Sequence, residues 1–245
     1  LFLCSANCSY ATCRSLLICG ILPNMILVAV ATYNEIENLP TLVEGIFALL
    51  PDCHLLVVDD NSPDGTGKWC DDLAERDDRV RCLHRKGKLG LGSATVAGLE
   101  YAVQNGYEYV ITMDADLSHP PRYLPSLVQS MSPNDGGEPV SVAIGSRYVP
   151  GGGVEGWPLN RRIMSRALNT YVRWVLRLRT HDNSGAFRCY RCKTLERLDF
   201  RQIESRGYSF FEEILYHLKR LGVRFVEIPI IFVDREHGNS KIDRS

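Results

Sequence analysis

Short apolar segments alternate with amphipathic ones along much of the chain. The apolar segments have the length of strands and are rich in β-branched residues; they lie at residues 26–32, 54–59, 79–84, 107–113 and 140–145. The segments between them carry apolar residues at helical spacing; they lie near residues 39–50, 67–76, 93–104 and 121–131. This alternation predicts the α/β class, with a mainly parallel, Rossmann-like sheet flanked by helices on both faces, because parallel strands need crossover connections.

The second half of the chain follows a different pattern. Three consecutive glycines at 151–153 predict a mobile loop, and a helix is predicted from about 158 to 178. Four arginines share one face of that helix: Arg162, Arg166, Arg173 and Arg177. This face is either an ordinary solvated surface or one that meets a membrane or phosphates. A core-facing helix at 211–221 and strands within 223–233 follow.

Composition and charge narrow the possible functions. The chain has 245 residues, 45% of them hydrophobic, and a net charge of −1, which suits a globular domain and argues against a nucleic-acid partner. Nine cysteines include the pair Cys189-x-x-Cys192, which has no second pair to complete a zinc site. We therefore expect a reduced, cytoplasmic protein. Because no run of about 18 apolar residues occurs, no transmembrane helix is predicted.

The first residues differ from the remainder of the chain. Residues 1–24 show neither a strand pattern nor the basic segment of a signal peptide, and Met25 opens the first predicted strand. We expect residues 1–24 to be an extension outside the fold, and residues 25–245 to form a single domain.

Polar clusters follow three of the predicted strands at their carboxyl ends, where open α/β sheets bind ligands. They are Tyr33-Asn-Glu35, Asp59-Asp-Asn-Ser62 and Asp114-Ala-Asp116. Asp114 and Asp116 are two residues apart, so a strand directs both carboxylates to one side, where they repel unless a cation lies between them. Carboxylate oxygens suit Mg²⁺ or Mn²⁺. The pair predicts a metal site, and the alternative is a solvated turn.

Seven short strings occur in a characteristic order and spacing. They are ATYNE at 31–35, VDDNSPDGT at 58–66, KLGLGSA at 88–94, MDADLSHP at 113–120, GSRY at 145–148, SGAFR at 184–188 and FVDR at 232–235. Together they resemble the family-2 glycosyltransferases of the GT-A fold, and among these the dolichyl-phosphate (polyprenyl-phosphate) mannose synthases. The resemblance implies one GT-A domain, with a nucleotide-binding half at 25–118 and an acceptor half at 119–245.

The resemblance also implies roles for individual positions. Those implied to bind the nucleotide sugar are Ala31, Tyr33, Glu35, Val58, Asp60, Asp114, Ala115, Asp116, Arg147, Arg235 and Lys241. Those implied to hold Mg²⁺ or Mn²⁺ are Asp114, Asp116 and Ser118. Those implied to bind the acceptor phosphate are Arg147, Arg161 and Ser165, and the catalytic set is Asp116, Arg147 and Arg161. Glu213 matches an acidic helix position whose role stays open between catalysis, a donor contact and structure.

The implied activity is metal-dependent, inverting transfer of mannose from GDP-mannose to a dolichyl or polyprenyl monophosphate. The implied location is the cytoplasmic face of a membrane, that of the endoplasmic reticulum in a eukaryote, with the membrane surface or a small membrane-anchoring subunit as partner. Two alternatives stay open: UDP-glucose or another nucleotide sugar as donor, and a nucleotide-sugar-binding scaffold without activity. A dinucleotide-dependent oxidoreductase is disfavoured, because Thr95 stands where a third glycine would follow Gly90 and Gly92.

Overall fold

The computed structural model of the protein describes residues 26–132 and 139–234. The predicted extension at 1–24, together with Arg235 and Lys241, lies outside the described residues. The strands of the described part are β1 (Ile26–Thr32), β2 (His54–Asp59), β3 (Val80–His84), β4 (Tyr109–Asp114), β5 (Val142–Ser146), β6 (Gly153–Glu155), β7 (Arg188–Arg191), β8 (Phe225–Pro229) and β9 (Ile231–Val233). The five strands predicted before residue 150 are present; β1 and β2 have the predicted bounds, and the ends of β3, β4 and β5 are shifted by one or two residues.

The helices of the same part are α1 (Leu39–Leu49), α2 (Thr66–Ala74), α3 (Leu91–Gln104), α4 (Leu124–Gln129), α5 (Leu159–Val175), α6 (Cys192–Leu195) and α7 (Phe210–Arg220). Two short 3₁₀ turns, Pro121–Tyr123 and Phe200–Gln202, accompany them. The long helix predicted at 158–178 is α5, and the core-facing helix predicted at 211–221 is α7.

Seven strands form one sheet in the order β3-β2-β1-β4-β7-β5-β8. All neighbours are parallel except β7, which runs antiparallel to both β4 and β5. The predicted α/β class with a mainly parallel sheet is therefore confirmed. Strand β7 was missed, because its four residues include a completely buried Arg188 that hides the apolar pattern of a strand. This guanidinium donates to the carbonyl oxygens of Phe211 and Asn183 at 2.8 and 2.7 Å.

The sheet has a hydrophobic core on each face. Strand β1 supplies both, because its side chains alternate: Ile26, Val28 and Val30 join one core, and Leu27 and Ala29 join the other. Helices α1, α2 and α4 cover the first core, and α3, α6 and α7 cover the second. Each fully buried aliphatic side chain stabilises the fold by about 1.5–3 kcal/mol, so the central strands are held firmly in place.

A second, two-stranded sheet pairs β6 with β9 in parallel. The prediction of a mobile loop at 151–153 is wrong at Gly153, which begins β6 and pairs with Ile231. The neighbouring Gly152 is needed for close packing, because a Cβ at this position would lie 2.4 Å from the carbonyl oxygen of Ser146. The run of glycines thus lets the chain pass close to the end of β5.

Candidate active site at the carboxyl ends of the strands

The three predicted polar clusters meet at one edge of the sheet. In the parallel register of β1, β2 and β4, Ala31 pairs with Val58 on one side and with Asp114 on the other. Thr32 pairs with Asp59, and its hydroxyl donates to the Asp59 carboxylate at 2.9 Å. Side chains from three separate segments therefore converge where open α/β sheets bind ligands.

Tyr33 and Glu35 lie in the turn that follows β1. The Lys88 ammonium lies 5.2 Å from the centre of the half-buried Tyr33 ring. Glu35 is buried; its backbone N–H donates to the Thr66 hydroxyl at 3.0 Å, and its carboxylate accepts a 2.9 Å bond from Asn38. The hydrogen bonds with Thr66 and Asn38 thus fix the conformation of this turn without a ligand.

Asp60 organises the loop opposite this turn. Its carboxylate accepts a 2.7 Å bond from the Arg85 guanidinium and a 3.0 Å bond from the Leu89 backbone N–H. Burial raises the pKa of Asp60. In this structure Asp60 fixes the segment from Arg85 to Leu89 beside the strand ends. Sequence reasoning missed Arg85, which stands among other basic residues and has no distinguishing signal.

The acidic pair after β4 forms a set of oxygen ligands. Leu117 adopts a left-handed backbone conformation with φ of 61°, which turns the chain so that Ser118 returns to Asp116. Both the backbone N–H and the hydroxyl of Ser118 donate to the Asp116 carboxylate. Asp116 is buried, whereas the Asp114 side chain is 28% exposed. Ser118 thus orients Asp116, and the pair presents oxygen atoms at the strand end.

His119 lies behind this pair. Burial lowers the pKa of His119 to about 4, so the ring is neutral near pH 7. The Asp114 backbone N–H donates to Nδ1 at 3.3 Å, which places the ring proton on Nε2. His119 therefore supplies no positive charge to the Asp114 carboxylate, whose oxygen lies 3.4 Å from Nδ1. The donor set fits a hard divalent cation such as Mg²⁺ or Mn²⁺.

Arg147 follows β5 and is clamped by Asp182. Its Nε and Nη2 groups donate to the two carboxylate oxygens at 2.7 Å each, and Nη2 also donates to the Ser184 hydroxyl at 3.0 Å. Arg147 is 7% exposed and Asp182 is completely buried. Burial alone would raise the pKa of Asp182, but the Arg147 charge and its hydrogen bonds hold that pKa below its ordinary value. Sequence reasoning missed Asp182.

A basic, aromatic cavity opens beside Arg147. It has a volume of about 150 Å³ and is lined by Arg147, Tyr148, Gly153, Val154, Trp157, Arg162 and Arg166. The lining carries three guanidinium groups and no acid. The Trp157 indole N–H is buried and has no hydrogen-bond partner among the described residues. Positive charge and a spare buried donor suit an anionic ligand.

Arg161 and Ser165 support the walls of this cavity, and neither is among its described lining residues. The Arg161 guanidinium stacks on Trp157 at 3.9 Å and donates to Asp234 at 3.0 Å. The Ser165 hydroxyl lies 2.6 Å from the Tyr148 hydroxyl. Tyr148 and Trp157 were missed, because single aromatic residues in a sequence usually belong to the core.

Glu213 has a structural role in this structure. Its carboxylate accepts bonds from the backbone N–H groups of Glu204 and Ser205 at 3.0 and 2.8 Å. These bonds hold the segment that precedes α7. One of the open roles for Glu213, the structural one, is therefore the one that these contacts support.

The comparison with known proteins agrees with this geometry. The family described as Glycosyl transferase family 2 matches residues 27–199. This chain belongs to that family. It is 44% identical to the polyprenol monophosphomannose synthase of Mycolicibacterium smegmatis over 220 residues, 89% of this chain and 81% of that protein. It is 43% identical to the undecaprenyl-phosphate mannosyltransferase of Micrococcus luteus over 217 residues, 89% of this chain and 87% of that protein.

Solved structures confirm the fold of this glycosyltransferase. The glucosyl-3-phosphoglycerate synthase of Mycobacterium tuberculosis, solved in complex with Mn²⁺ and uridine-diphosphate-glucose, is similar with a TM-score of 0.66. The match has 18% sequence identity and covers 97% of this chain and 78% of that one. The predicted GT-A fold is therefore confirmed.

Two further findings on this glycosyltransferase concern its cysteines and its helices. The cysteines in the part that the structure describes (Cys53, Cys70, Cys82, Cys189 and Cys192) form no disulfide bonds. Within residues 26–132 and 139–234, no helix combines the length and the apolar character needed to cross a bilayer.

Proposed function

We propose that this glycosyltransferase transfers mannose from GDP-mannose to a polyprenyl monophosphate of the dolichyl type, with inversion at the anomeric carbon and with Mg²⁺ or Mn²⁺ as cofactor. The observation that supports it most is the 44% and 43% identity, across nine-tenths of the chain, to proteins named for mannose transfer to polyprenyl phosphates. The arrangement of an acidic strand end beside a basic cavity supports the same reaction, because both substrates carry phosphate.

In the proposed reaction, an oxygen of the acceptor phosphate attacks the anomeric carbon of mannose. A new carbon–oxygen bond forms while the bond from that carbon to the GDP diphosphate breaks, and GDP leaves with the electron pair. The acceptor phosphate is already an anion near pH 7, so no general base is needed to activate it. The work left to the protein is to position two anions and to balance their charge.

The donor would occupy the edge formed by β1, β2 and β4. Tyr33, Glu35 and Asp60 are proposed to contact the base and ribose, with Ala31, Val58 and Ala115 forming the apolar floor between them. A divalent ion held by Asp114 and Asp116 would neutralise the charge that develops on the leaving diphosphate. Ser118 keeps Asp116 oriented for that role. Arg235 and Lys241 are proposed to add positive charge to the same diphosphate.

The acceptor phosphate would bind in the basic cavity. Arg147 is proposed as its principal contact, because Asp182 and Ser184 fix the guanidinium plane in advance. A preorganised cation needs no rearrangement when the phosphate arrives. Arg161 and Ser165 are proposed to complete the site, so that Asp116, Arg147 and Arg161 act together in catalysis.

One assay tests the proposal. Radiolabelled GDP-mannose and UDP-glucose are each offered with dolichyl and undecaprenyl phosphates, with Mg²⁺, with Mn²⁺ or with a chelator. We expect metal-dependent transfer from GDP-mannose, and no turnover by the Asp116→Asn variant at an unchanged circular dichroism spectrum. The Asp72→Asn variant, at an exposed position on α2, should transfer as the wild type does. Preferred use of UDP-glucose, or donor binding without transfer, would contradict the proposal.

Because the proposed acceptor is a lipid, we also propose that the enzyme works peripherally on the cytoplasmic face of a membrane. Either its own surface or a small membrane-anchoring subunit would keep it there.

A further inference from the structure

Helix α5 exposes an unusually apolar surface. Of the eleven large apolar side chains exposed in the described residues, seven lie on this one helix: Leu159, Ile163, Met164, Leu168, Tyr171, Trp174 and Val175. Trp174 is 78% exposed, Met164 74% and Leu159 71%. Single exposed apolar residues are ordinary on protein surfaces, but a contiguous group of this size marks a surface that is covered in use.

The outer side of α5 is apolar, unlike that of an ordinary surface helix. The side that packs on the protein carries Val172, which contacts the second core, and the polar residues Ser165 and Asn169, which bond to Tyr148 and Ser184 at 2.6 and 3.1 Å. With 3.6 residues per turn, the seven exposed apolar side chains lie on the opposite side. In a helix that simply covers a core, the apolar side would face inward. Contacts within the described protein therefore do not account for the apolar face.

The charges around this face favour one kind of partner. Residues 156–181 contain six arginines and no acidic residue. On the helix, Arg162, Arg166 and Arg173 border one edge of the apolar face, and Arg161 borders the other. Aliphatic side chains, an exposed Trp and Tyr, and flanking arginines are the features of a helix that lies in the interface of an anionic bilayer.

We propose that α5 is a membrane-docking helix, lying in the plane of an anionic lipid bilayer with its apolar face among the acyl chains. This proposal rests on the proposed function in one respect, the choice of a bilayer over a protein partner, because the acceptor resides in a membrane. Arg162 and Arg166 line the basic cavity as well as border the docking face. Docking of α5 would therefore place the mouth of the cavity at the depth of lipid phosphates.

The test measures binding to vesicles without donor or acceptor, so its result does not depend on the proposed reaction. Wild type and the double variant Met164→Ser/Trp174→Ser are sedimented with vesicles of phosphatidylcholine alone or mixed with phosphatidylglycerol. We expect the wild type to bind the mixed vesicles, and added salt to weaken this binding. The double variant should bind at least about tenfold more weakly, because two large side chains no longer enter the acyl region. Leu49→Ser, at an exposed apolar position on α1, should bind as the wild type does.

Two further measurements complete the test. The double variant should keep the melting temperature of the wild type, because both side chains face solvent. It should also keep transfer to a short, water-soluble polyprenyl phosphate, while transfer to acceptor in vesicles falls. Equal vesicle binding by both proteins would overturn the proposal. The proposal would also be overturned if the wild type bound no vesicles and formed a dimer that the substitutions dissociate. Binding of the wild type only to vesicles that carry a membrane subunit would overturn it as well. Absence of any transfer, with vesicle binding as expected, would overturn the proposed function alone.

Discussion

Replacing Asp182 by asparagine is expected to destabilise the protein strongly. The Asp182 carboxylate accepts bonds from the backbone N–H, Nε and Nη2 of Arg147 and from the backbone N–H of Gly185. Asparagine removes the negative charge and turns an NH₂ group toward one of these donors. The Arg147 guanidinium would then keep its positive charge while buried and poorly paired.

The size of the effect follows from the burial of both partners. Removing one partner of a buried ion pair costs about 3–5 kcal/mol, because the remaining charge stays desolvated. Asp182 is completely buried and Arg147 is 7% exposed, so little of this cost is relieved by solvent. At roughly 2–4 °C per kcal/mol for a domain of this size, the melting temperature should fall by roughly 6–20 °C.

Thermal unfolding followed by circular dichroism measures this fall. The matched control is Asp72→Asn, which breaks an exposed ion pair to Lys68 one helical turn away. Solvent screens such an exposed pair, which therefore contributes little, so the control should melt close to the wild type. If Asp182→Asn melted as the control does, the clamp would contribute little and our account of Arg147 would be wrong.

The sign of the pH dependence provides a second check on the clamp. The folded-state pKa of Asp182 is below its ordinary value, so the carboxylate stabilises the fold above the unfolded pKa of about 3.9. This stabilisation is lost as the pH falls through the lower folded-state pKa. The difference in stability between wild type and Asp182→Asn should therefore stay constant between about pH 5 and 8 and narrow only in more acidic solution.

Three further substitutions test other parts of the structure. Trp157→Phe removes an indole N–H that has no partner among the described residues, so the melting temperature should hold. The KM for the polyprenyl phosphate should rise, and the KM for the donor should not. Equal effects on the two KM values would count against an acceptor role for Trp157. Gly92→Ala should lower the free energy of unfolding, measured with denaturant, by about 1–3 kcal/mol, because the new Cβ would lie 2.6 Å from the Cβ of Phe210. The control is Gly87→Ala, whose Cβ would meet nothing within 4 Å. Similar losses of stability in the two variants would contradict the packing argument. Burial raises the pKa of Glu212, so ionising its carboxyl costs stability as the pH rises above about 4.5. Glu212→Gln should therefore stabilise the protein more at pH 8 than at pH 4. An equal gain in stability at the two pH values would refute this assignment of the pKa.

Periodicity predicted most of the fold because most of the sheet is regular. Strands buried on both faces give continuous apolar runs, and the helices between them repeat every 3.6 residues. Strand β7 gave no such run, because it contains Arg188, whose guanidinium bonds to the carbonyl oxygens of Asn183 and Phe211 outside the strand. A buried arginine in a short segment cannot be distinguished from a surface one until the partners are known.

The site was predictable in part for a related reason. The acidic positions stand at strand ends, so the strand prediction alone brought Asp114 to the edge where Ala31 also lies. The clamp of Arg147 by Asp182 joins residues 35 positions apart, and Asp182 lies in an irregular segment that no periodic pattern predicts. Helix α5 illustrates the same limit: the sequence showed a face of four arginines, and only the structure showed that seven large apolar side chains of this helix are exposed.

One hydroxyl connects α5 to the clamp. The Ser184 Oγ accepts a bond from Asn169 on α5 at 3.1 Å and a bond from the Arg147 guanidinium at 3.0 Å. Asn169 also accepts a 2.7 Å bond from the Asn183 backbone N–H, so the helix is fastened to the loop that carries Asp182. The inner side of α5 uses polar residues for this fastening, together with Val172, which packs on the second core, whereas its outer side carries seven exposed apolar residues. A helix that docks on lipid through that outer side would hold Arg147 at a fixed distance from the membrane, as the proposed transfer from a soluble donor to a lipid acceptor requires.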